Sequence, residues 1–305
     1  MSTTKKNVNT IQQKRNTTQK MSPFHHLKKT TRSRILGMQT YKVNCGKNLM
    51  LGFKSIKAAE ETSMKPDDFV HVALAKLKDY NNPVVVKIYD ENNGYLYREQ
   101  KILKAINGYR NMPNIICDFT CKDNKIKYFT KIKKHFSFCT KVVGSNANTD
   151  LLHFFVYEYI QHGDISEFIV KNNGNTDIIK SVILQLVCVI IELATVYNVF
   201  HGDLNSGNIL VDKTNEKTLE YKIEDETISI ETFGVMPKLI DFGKSNFYEE
   251  PLTYLVWEDI ISAIIIIKSY ITNKKMEQKL LHISRQDEKK FKSLKDCYIF
   301  VRDNL

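Results

Sequence analysis

The chain has 305 residues, 42% of them hydrophobic, and a formal charge of +11, which allows one catalytic-size folded unit with its own core plus a tail. Six cysteines with no CxxC pair exclude a disulfide framework, and the amino terminus carries neither an apolar run of signal-peptide type nor the second-position glycine that myristoylation needs. Of the 45 Lys and Arg, 13 precede the first acidic residue, Glu60, leaving 32 against 34 Asp and Glu, so the excess charge belongs to the amino-terminal end.

Residues 1–34 are rich in Thr, Asn, Gln and Lys with little periodic apolar character, the composition of a disordered basic arm. A solvated tail is its simplest role, and its charge also suits nucleic acid, an acidic partner or a membrane surface. Segment 60–69, EETSMKPDDF, holds no glycine. The runs VHVALAKL (70–77) and NPVVVKIYD (82–90) read as strands, the second β-branched and bounded by Asn-Pro. In YLYREQKILKAI (95–106), Leu96, Ile102, Leu103 and Ile106 recur at near-helical spacing. Lys87 and Glu99 are close in sequence, so the connection between strand and helix is short.

Cys117, Cys121, His135 and Cys139 form a CxxxC and then an HxxxC arrangement with zinc-type ligands. Cys117 and Cys121 fall in an alternating strand-like run, where cysteine is more simply a small core residue. The stretch 122–150 reads as a strand, a loop and an insertion. FVYEYIQHGD (155–164) is an apolar strand breaking into polar residues and a glycine. The apolar run from Ser181 to Phe200 contains Gln185 and Glu192 and reads as a buried central helix, while the isoleucine-rich 260–267 is too short for a bilayer; no transmembrane segment is expected. Segment 213–236 reads as a surface excursion, 256–271 as a buried helix, and Lys274–Lys295 as a solvated amphipathic one.

Chemistry concentrates in HGDLNSGNIL (201–210) and LIDFG (239–243). They supply two carboxylates and a carboxamide, Asp203, Asn208 and Asp241, flanked by the strand-like runs ILVD (209–212) and PKLID (237–241). Moving a terminal phosphoryl group needs positioning and charge neutralisation more than covalent help. Asp203 would orient a hydroxyl acceptor and take its proton. Asn208 and Asp241 offer oxygen ligands to a hard cation, and Gly243 lets the backbone bend beyond the metal ligand.

These two motifs, in this order, resemble the protein-kinase superfamily, with its HRDLxxxxN loop and DFG triplet. The resemblance implies an α+β, bilobal, protein-kinase-like fold, with a β-rich small lobe at 35–158 and a mainly helical lobe at 159–305. Lys87 stands at the position of the VAIK lysine that holds the α and β phosphates. Glu99 would position it. Around the adenine, Val72, Val85 and Leu210 would sandwich the base, Glu158 and the backbone near Ile160 would meet its edge, Tyr157 would be the gatekeeper, and Asp164 would reach the ribose. ATP and Mg2+, or Mn2+, are the implied cofactors.

Departures from the family pattern matter as much. The glycine-rich loop is missing at 60–69, Gly202 replaces the arginine that receives an activation-loop phosphate, and Asn205 stands where serine/threonine kinases carry a phosphate-contacting lysine. Asp259, expected to brace the catalytic loop, follows Asp241 closely with no APE motif between. What is left resembles the compact Bud32-like and haspin-like kinases and the short kinases of large DNA viruses; HGDLxxxN is also similar to aminoglycoside and choline phosphotransferases. The expected activity is serine/threonine protein phosphorylation, with small-molecule phosphorylation or a nucleotide-binding scaffold as rivals. The protein substrate is left open. The expected location is the cytoplasm or nucleus, or a virion if the viral resemblance holds.

Overall fold

A computed structural model describes residues 49–50, 70–77, 81–90, 93–122, 151–161, 163–249 and 252–305, all within one unit, Tyr41–Leu305. The basic arm, segment 60–69 and most of the 122–150 stretch, including His135 and Cys139, lie outside the described residues. What is described is a mixture of helix and strand, an α+β chain.

Strands β1 (Leu49–Met50), β2 (Val70–Leu77), β3 (Pro83–Asp90), β4 (Ile115–Lys122) and β5 (Leu151–Glu158) form one antiparallel sheet in the order β1-β2-β3-β5-β4. Register places Val72 opposite Lys87 and Lys87 opposite Phe155, with Leu74, Val85 and Tyr157 in the next rank. Facing residues and alternate residues share a face. Val72, Val85, Lys87 and Tyr157 are therefore on one face, whereas Val84, Val86, Ile88, Phe154 and Val156 line the other and are buried. A one-residue slip would exchange the two sets.

Helix α1 (Gly94–Ile106) follows β3 after the predicted short connection. Asn93 caps it, accepting from the Tyr95 amide at 2.8 Å. Its inward stripe is Leu96, Glu99, Ile102, Leu103 and Ile106. Glu99 is thus a carboxylate on an otherwise apolar stripe, a position that demands a partner.

The remainder comprises α2 (Ile165–Asn172), α3 (Thr176–Tyr197), α4 (Thr253–Tyr270), α5 (Lys274–Ser284) and α6 (Leu294–Asn304). Three short antiparallel pairs accompany them: β6 (Val199–Phe200) with β11 (Asn246–Phe247), β7 (Ile209–Lys213) with β10 (Val235–Leu239), and β8 (Thr218–Ile223) with β9 (Glu226–Glu231). Helix α3 is the centre, packed by α4, α6, β6 and β8 to β10. It is long and apolar enough to cross a membrane, but 72% of its most apolar window is buried inside the chain, as in a core helix. It stops at Asn198, whose left-handed backbone (φ 55°) lets its N–H reach Leu193 O. The run expected to stay helical to Phe200 turns there into β6.

Two other expectations change. Segment 213–236 is no surface excursion: it holds the β8–β9 hairpin, in which Leu219, Tyr221 and Ile223 are fully buried against α3. Glu224 in its turn adopts a left-handed φ of 53° and accepts from the Leu294 and Lys295 amides, so the hairpin also caps α6. Lys274–Lys295 is not one solvated helix; α5 ends at Ser284, and its Met276, Leu280 and Ile283 are buried. Cys117 on β4 is disulfide-bonded, which removes its thiolate from the zinc quartet.

Candidate active site

The face of β3 that carries Lys87 meets the carboxylate stripe of α1. The Lys87 ammonium donates to Glu99 Oε2 at 2.9 Å and Oε1 at 3.0 Å, and to Asp241 Oδ1 at 2.8 Å. Glu99 also accepts from the hydroxyls of Tyr89 and of Tyr157, the latter at 3.3 Å. Two carboxylates thus surround one ammonium. Burial pulls the Lys87 ammonium down, yet Glu99 and Asp241 outweigh it and hold its pKa above the ordinary value. Burial also raises the Glu99 carboxyl, with Lys87 opposing. For Asp241, burial pushes up, but Lys87 prevails and keeps it below the usual range. The deeper carboxylate takes the rise and the more exposed one stays ionised, as cluster electrostatics require.

Asp241 reaches this position because its backbone bends into the left-handed region, φ 66°, which aspartate tolerates better than most side chains. The bend expected at Gly243 therefore occurs two residues earlier. Gly243 is needed for space instead: a Cβ there would lie 3.3 Å from Asp241 Oδ1 and 3.4 Å from Tyr95 Cβ, where α1 crosses the turn.

The β7–β10 register, Ile209 opposite Leu239, continues through the Ile240 amide donating to Asn208 O at 3.0 Å. Asn208 is thereby placed against Ile240, the residue before Asp241. Asn208 Nδ2 donates to Asp203 O at 2.8 Å, fixing its amide so that Oδ1 is the end left for a cation. No group of three or more His, Cys, Asp or Glu suited to a metal ion occurs among the described residues. One carboxylate and one amide oxygen fit a magnesium-type ion that shares its shell with phosphates, and are too few for a resident ion held by protein alone.

The loop itself is braced from below. Asp259 accepts from the His201 amide at 2.9 Å and the Gly202 amide at 3.2 Å, the role expected of it. The buried His201 ring places Nε2 at 3.0 Å from Ile240 O; a carbonyl can only accept, so Nε2 carries the proton and Nδ1 accepts from the Asp203 amide at 3.4 Å. Burial lowers the imidazole pKa and keeps the ring neutral. Ser245 Oγ donates to His201 O at 2.7 Å, tying the two motifs together. Gly202 has φ 71°, and a Cβ would stand 3.1 Å from the Phe200 ring.

Several expected roles look different in place. Asn205 is turned back on its own loop: Oδ1 accepts from the Gly207 amide at 2.9 Å and Nδ2 donates to Asp203 O at 3.2 Å, so it caps the turn instead of projecting toward a phosphate. Asp164 Oδ1 is committed to the α2 N-terminus through the Ser166 and Glu167 amides. The Glu158 carboxylate is engaged by Asn114 Nδ2 at 2.8 Å and by the buried Lys238 at 2.9 Å, which hold it below its ordinary pKa despite burial. Its amide donates to Asn114 O. Val72 is 42% exposed and Val85 half-buried on the Lys87 face, as lining residues of an open cleft would be. Leu210 bridges Asp164, and Ile160 is buried.

Sequence reasoning missed three partners: Tyr89 on Glu99, Lys238 on Glu158, and Lys244, whose ammonium lies 3.0 Å from Asp203 Oδ1. Only Lys244 had a readable signal, its place directly after Asp-Phe-Gly. The apolar cavity lined by Ala194, Val199, Phe200, Tyr248, Leu255 and Val256 contains none of these groups.

No protein-family model matches the chain. A 45-residue stretch, 15% of this chain and 15% of the relative, is 51% identical to "Uncharacterized protein ZK177.2" of Caenorhabditis elegans. A 94-residue stretch, 30% of this chain and 15% of the relative, is 31% identical to a serine/threonine-protein kinase haspin homolog of Arabidopsis thaliana. The matches thus span 15% of the length of each curated relative. The second is a partial, distant likeness to the kinase superfamily.

Proposed function

We propose that this chain is an ATP- and magnesium-dependent phosphotransferase of bilobal kinase type that phosphorylates serine or threonine hydroxyls of proteins. One observation carries the reading: Lys87, Glu99 and Asp241, from a strand, a helix and a distant turn, meet in one ion cluster next to the loop that holds Asp203 and Asn208. A structural core has no need to bury a lysine between two carboxylates, and replacing such clusters by apolar residues is often neutral or better. The likeness to a named serine/threonine kinase supports the same chemistry.

In this reading Lys87 would hold the α and β phosphates, with Asp241 serving as a ligand for the metal. Asn208 and Asp241 would hold Mg2+ or Mn2+, which neutralises phosphate charge when bound. Asp203 accepts the acceptor's hydroxyl proton as the new O–P bond forms and the bond from the γ phosphorus to the departing ADP breaks. Val72, Val85 and Leu210 line the base, and the basic arm draws in nucleic acid or an acidic partner. The cytoplasm or nucleus, where ATP and magnesium are plentiful, suits this chemistry.

A small-molecule acceptor is the second reading, favoured by the early start of α4 at Thr253, which leaves little chain after Asp241 for a peptide platform. Purified protein incubated with labelled ATP and magnesium, beside Asp203→Asn, separates the two. Label on acidic or basic proteins supports the first, label on aminoglycoside- or choline-type solutes alone supports the second, and equal labelling by the Asn variant overturns both.

A further inference from the structure

Phosphoryl transfer spreads negative charge over the γ-phosphoryl oxygens, and a cation near the acceptor stabilises it alongside the groups that hold the α and β phosphates. Lys87 cannot serve there, because its ammonium is held by Glu99 and, in the reading above, is engaged by the α and β phosphates. Asn205 cannot either, being neutral and bonded back into its own loop. Among the described residues, the cation that contacts Asp203 is Lys244.

We infer that Lys244 is a catalytic residue that grips the γ-phosphoryl group, taking over from the turn after Asp241 the task that Asn205 has no charge to perform. This rests on the phosphotransferase reading above. Its ammonium is 3.0 Å from Asp203 Oδ1, and its side chain is 55% exposed, so it is both placed and free to swing. The backbone beneath it is fixed. Phe242 is fully buried, the Ser245 amide donates to Phe242 O at 3.1 Å, and Ser245 Oγ is anchored on His201 O. An exposed pair on a mobile surface would carry little meaning; this one joins the two motif loops at the point where acceptor and donor meet.

In the resting site Lys244 neutralises Asp203. With nucleotide present it shares its protons between Asp203 and the γ-phosphoryl oxygens. As the acceptor oxygen bonds to phosphorus, its proton passes to Asp203, the γ phosphorus separates from the ADP oxygen, and Lys244 remains protonated throughout.

The test compares Lys244→Ala and Lys244→Arg with the parent chain in two measurements: turnover with a labelled protein acceptor, and magnesium-dependent affinity for a β,γ-imido ATP analogue and for ADP. Loss of a transition-state donor predicts that Lys244→Ala lowers kcat on the order of 100-fold, and it should weaken the imido analogue while leaving ADP affinity unchanged. Arginine should recover part of both. Unchanged kcat in Lys244→Ala, or equal weakening of both nucleotides, overturns the assignment while leaving the phosphotransferase reading intact. A parent chain that binds neither nucleotide overturns both.

Discussion

The Lys87 ammonium lies 2.8 Å from Asp241 Oδ1 although 154 residues separate the two in sequence. The same ammonium neutralises Glu99, which is 1% exposed. Lys87→Met should therefore leave a buried carboxylate unpaired and cost about 3–5 kcal/mol in denaturant titration near neutral pH. Lys87→Met with Glu99→Gln should regain part of that loss, because the amide removes the charge, its oxygen accepts from one of Tyr89 and Tyr157, and its NH2 donates to the hydroxyl oxygen of the other. A single variant as stable as the parent would show that the cluster is not energetically real.

Asp241→Asn keeps the left-handed backbone, since asparagine tolerates φ 66° as aspartate does. Only the charge is lost. The expected outcome is a folded protein whose nucleotide binding needs at least about tenfold more magnesium, a fraction of a unit-charge interaction at ligand distance. A magnesium titration of ATP binding that superimposes on the parent's removes Asp241 from the metal site.

Gly202 occupies the position where the kinase pattern carries arginine, and its geometry supplies a reason beyond regulation. With φ 71° and a would-be Cβ 3.1 Å from the Phe200 ring, Gly202→Arg should cost about 1–2 kcal/mol from the left-handed backbone alone, read as a lower thermal midpoint. Tolerance of arginine without loss would mean the loop can adopt another path.

The parts of this site that were legible in the sequence are those whose chemistry fixes residue type at short spacing. HGDLNSGN and IDFG announce a loop and a turn that the fold brings together, and VVVK followed by a helical stripe bearing Glu99 announces the ion pair. Side-chain commitments were not legible. That Asn205 caps its own turn, Asp164 caps α2 and Glu158 pairs with Lys238 depends on which neighbour the fold brings within 3 Å. The hairpin at 218–231 was misread because its acidic and threonine residues look like a solvated loop. The alternation TLEYKI, with Leu219, Tyr221 and Ile223 on one face, was the signal of a half-buried strand.

Asp259 links stability to pH. Burial is the largest influence on its carboxyl and pushes it up to about 7, with the His201 and Gly202 amides opposing. The folded pKa thus exceeds the unfolded value of about 4. Below about pH 4 both states hold the proton and Asp259's contribution is complete; between about 4 and 7 the unfolded chain ionises more readily, so stability drains as pH rises. Asp259→Asn lacks this titration. The parent's thermal midpoint relative to that variant should fall between about pH 4 and about pH 7 and level off above, and a difference that is flat or grows across that window would contradict the buried-acid account.

Tyr221 makes the hairpin part of the site's foundation. Its ring is fully buried beneath the Arg110 guanidinium, 4.9 Å from the centroid, and its hydroxyl donates to Gln185 Oε1 while accepting from Asn111 Nδ2, both at 3.4 Å. Asn111 in turn donates to Pro237 O at 2.8 Å and accepts from the Leu239 amide, fixing β10 just before Asp241. Tyr221→Ala should cost about 3–5 kcal/mol through cavity formation, whereas Tyr221→Phe should cost about 1 kcal/mol, because it removes one long hydrogen-bonded hydroxyl and keeps the ring. If the hairpin were a surface excursion, both variants would match the parent in denaturant titration. The chain of contacts predicts instead that Tyr221→Ala also weakens nucleotide binding by loosening the strand that delivers Asp241, while Tyr221→Phe leaves it unchanged.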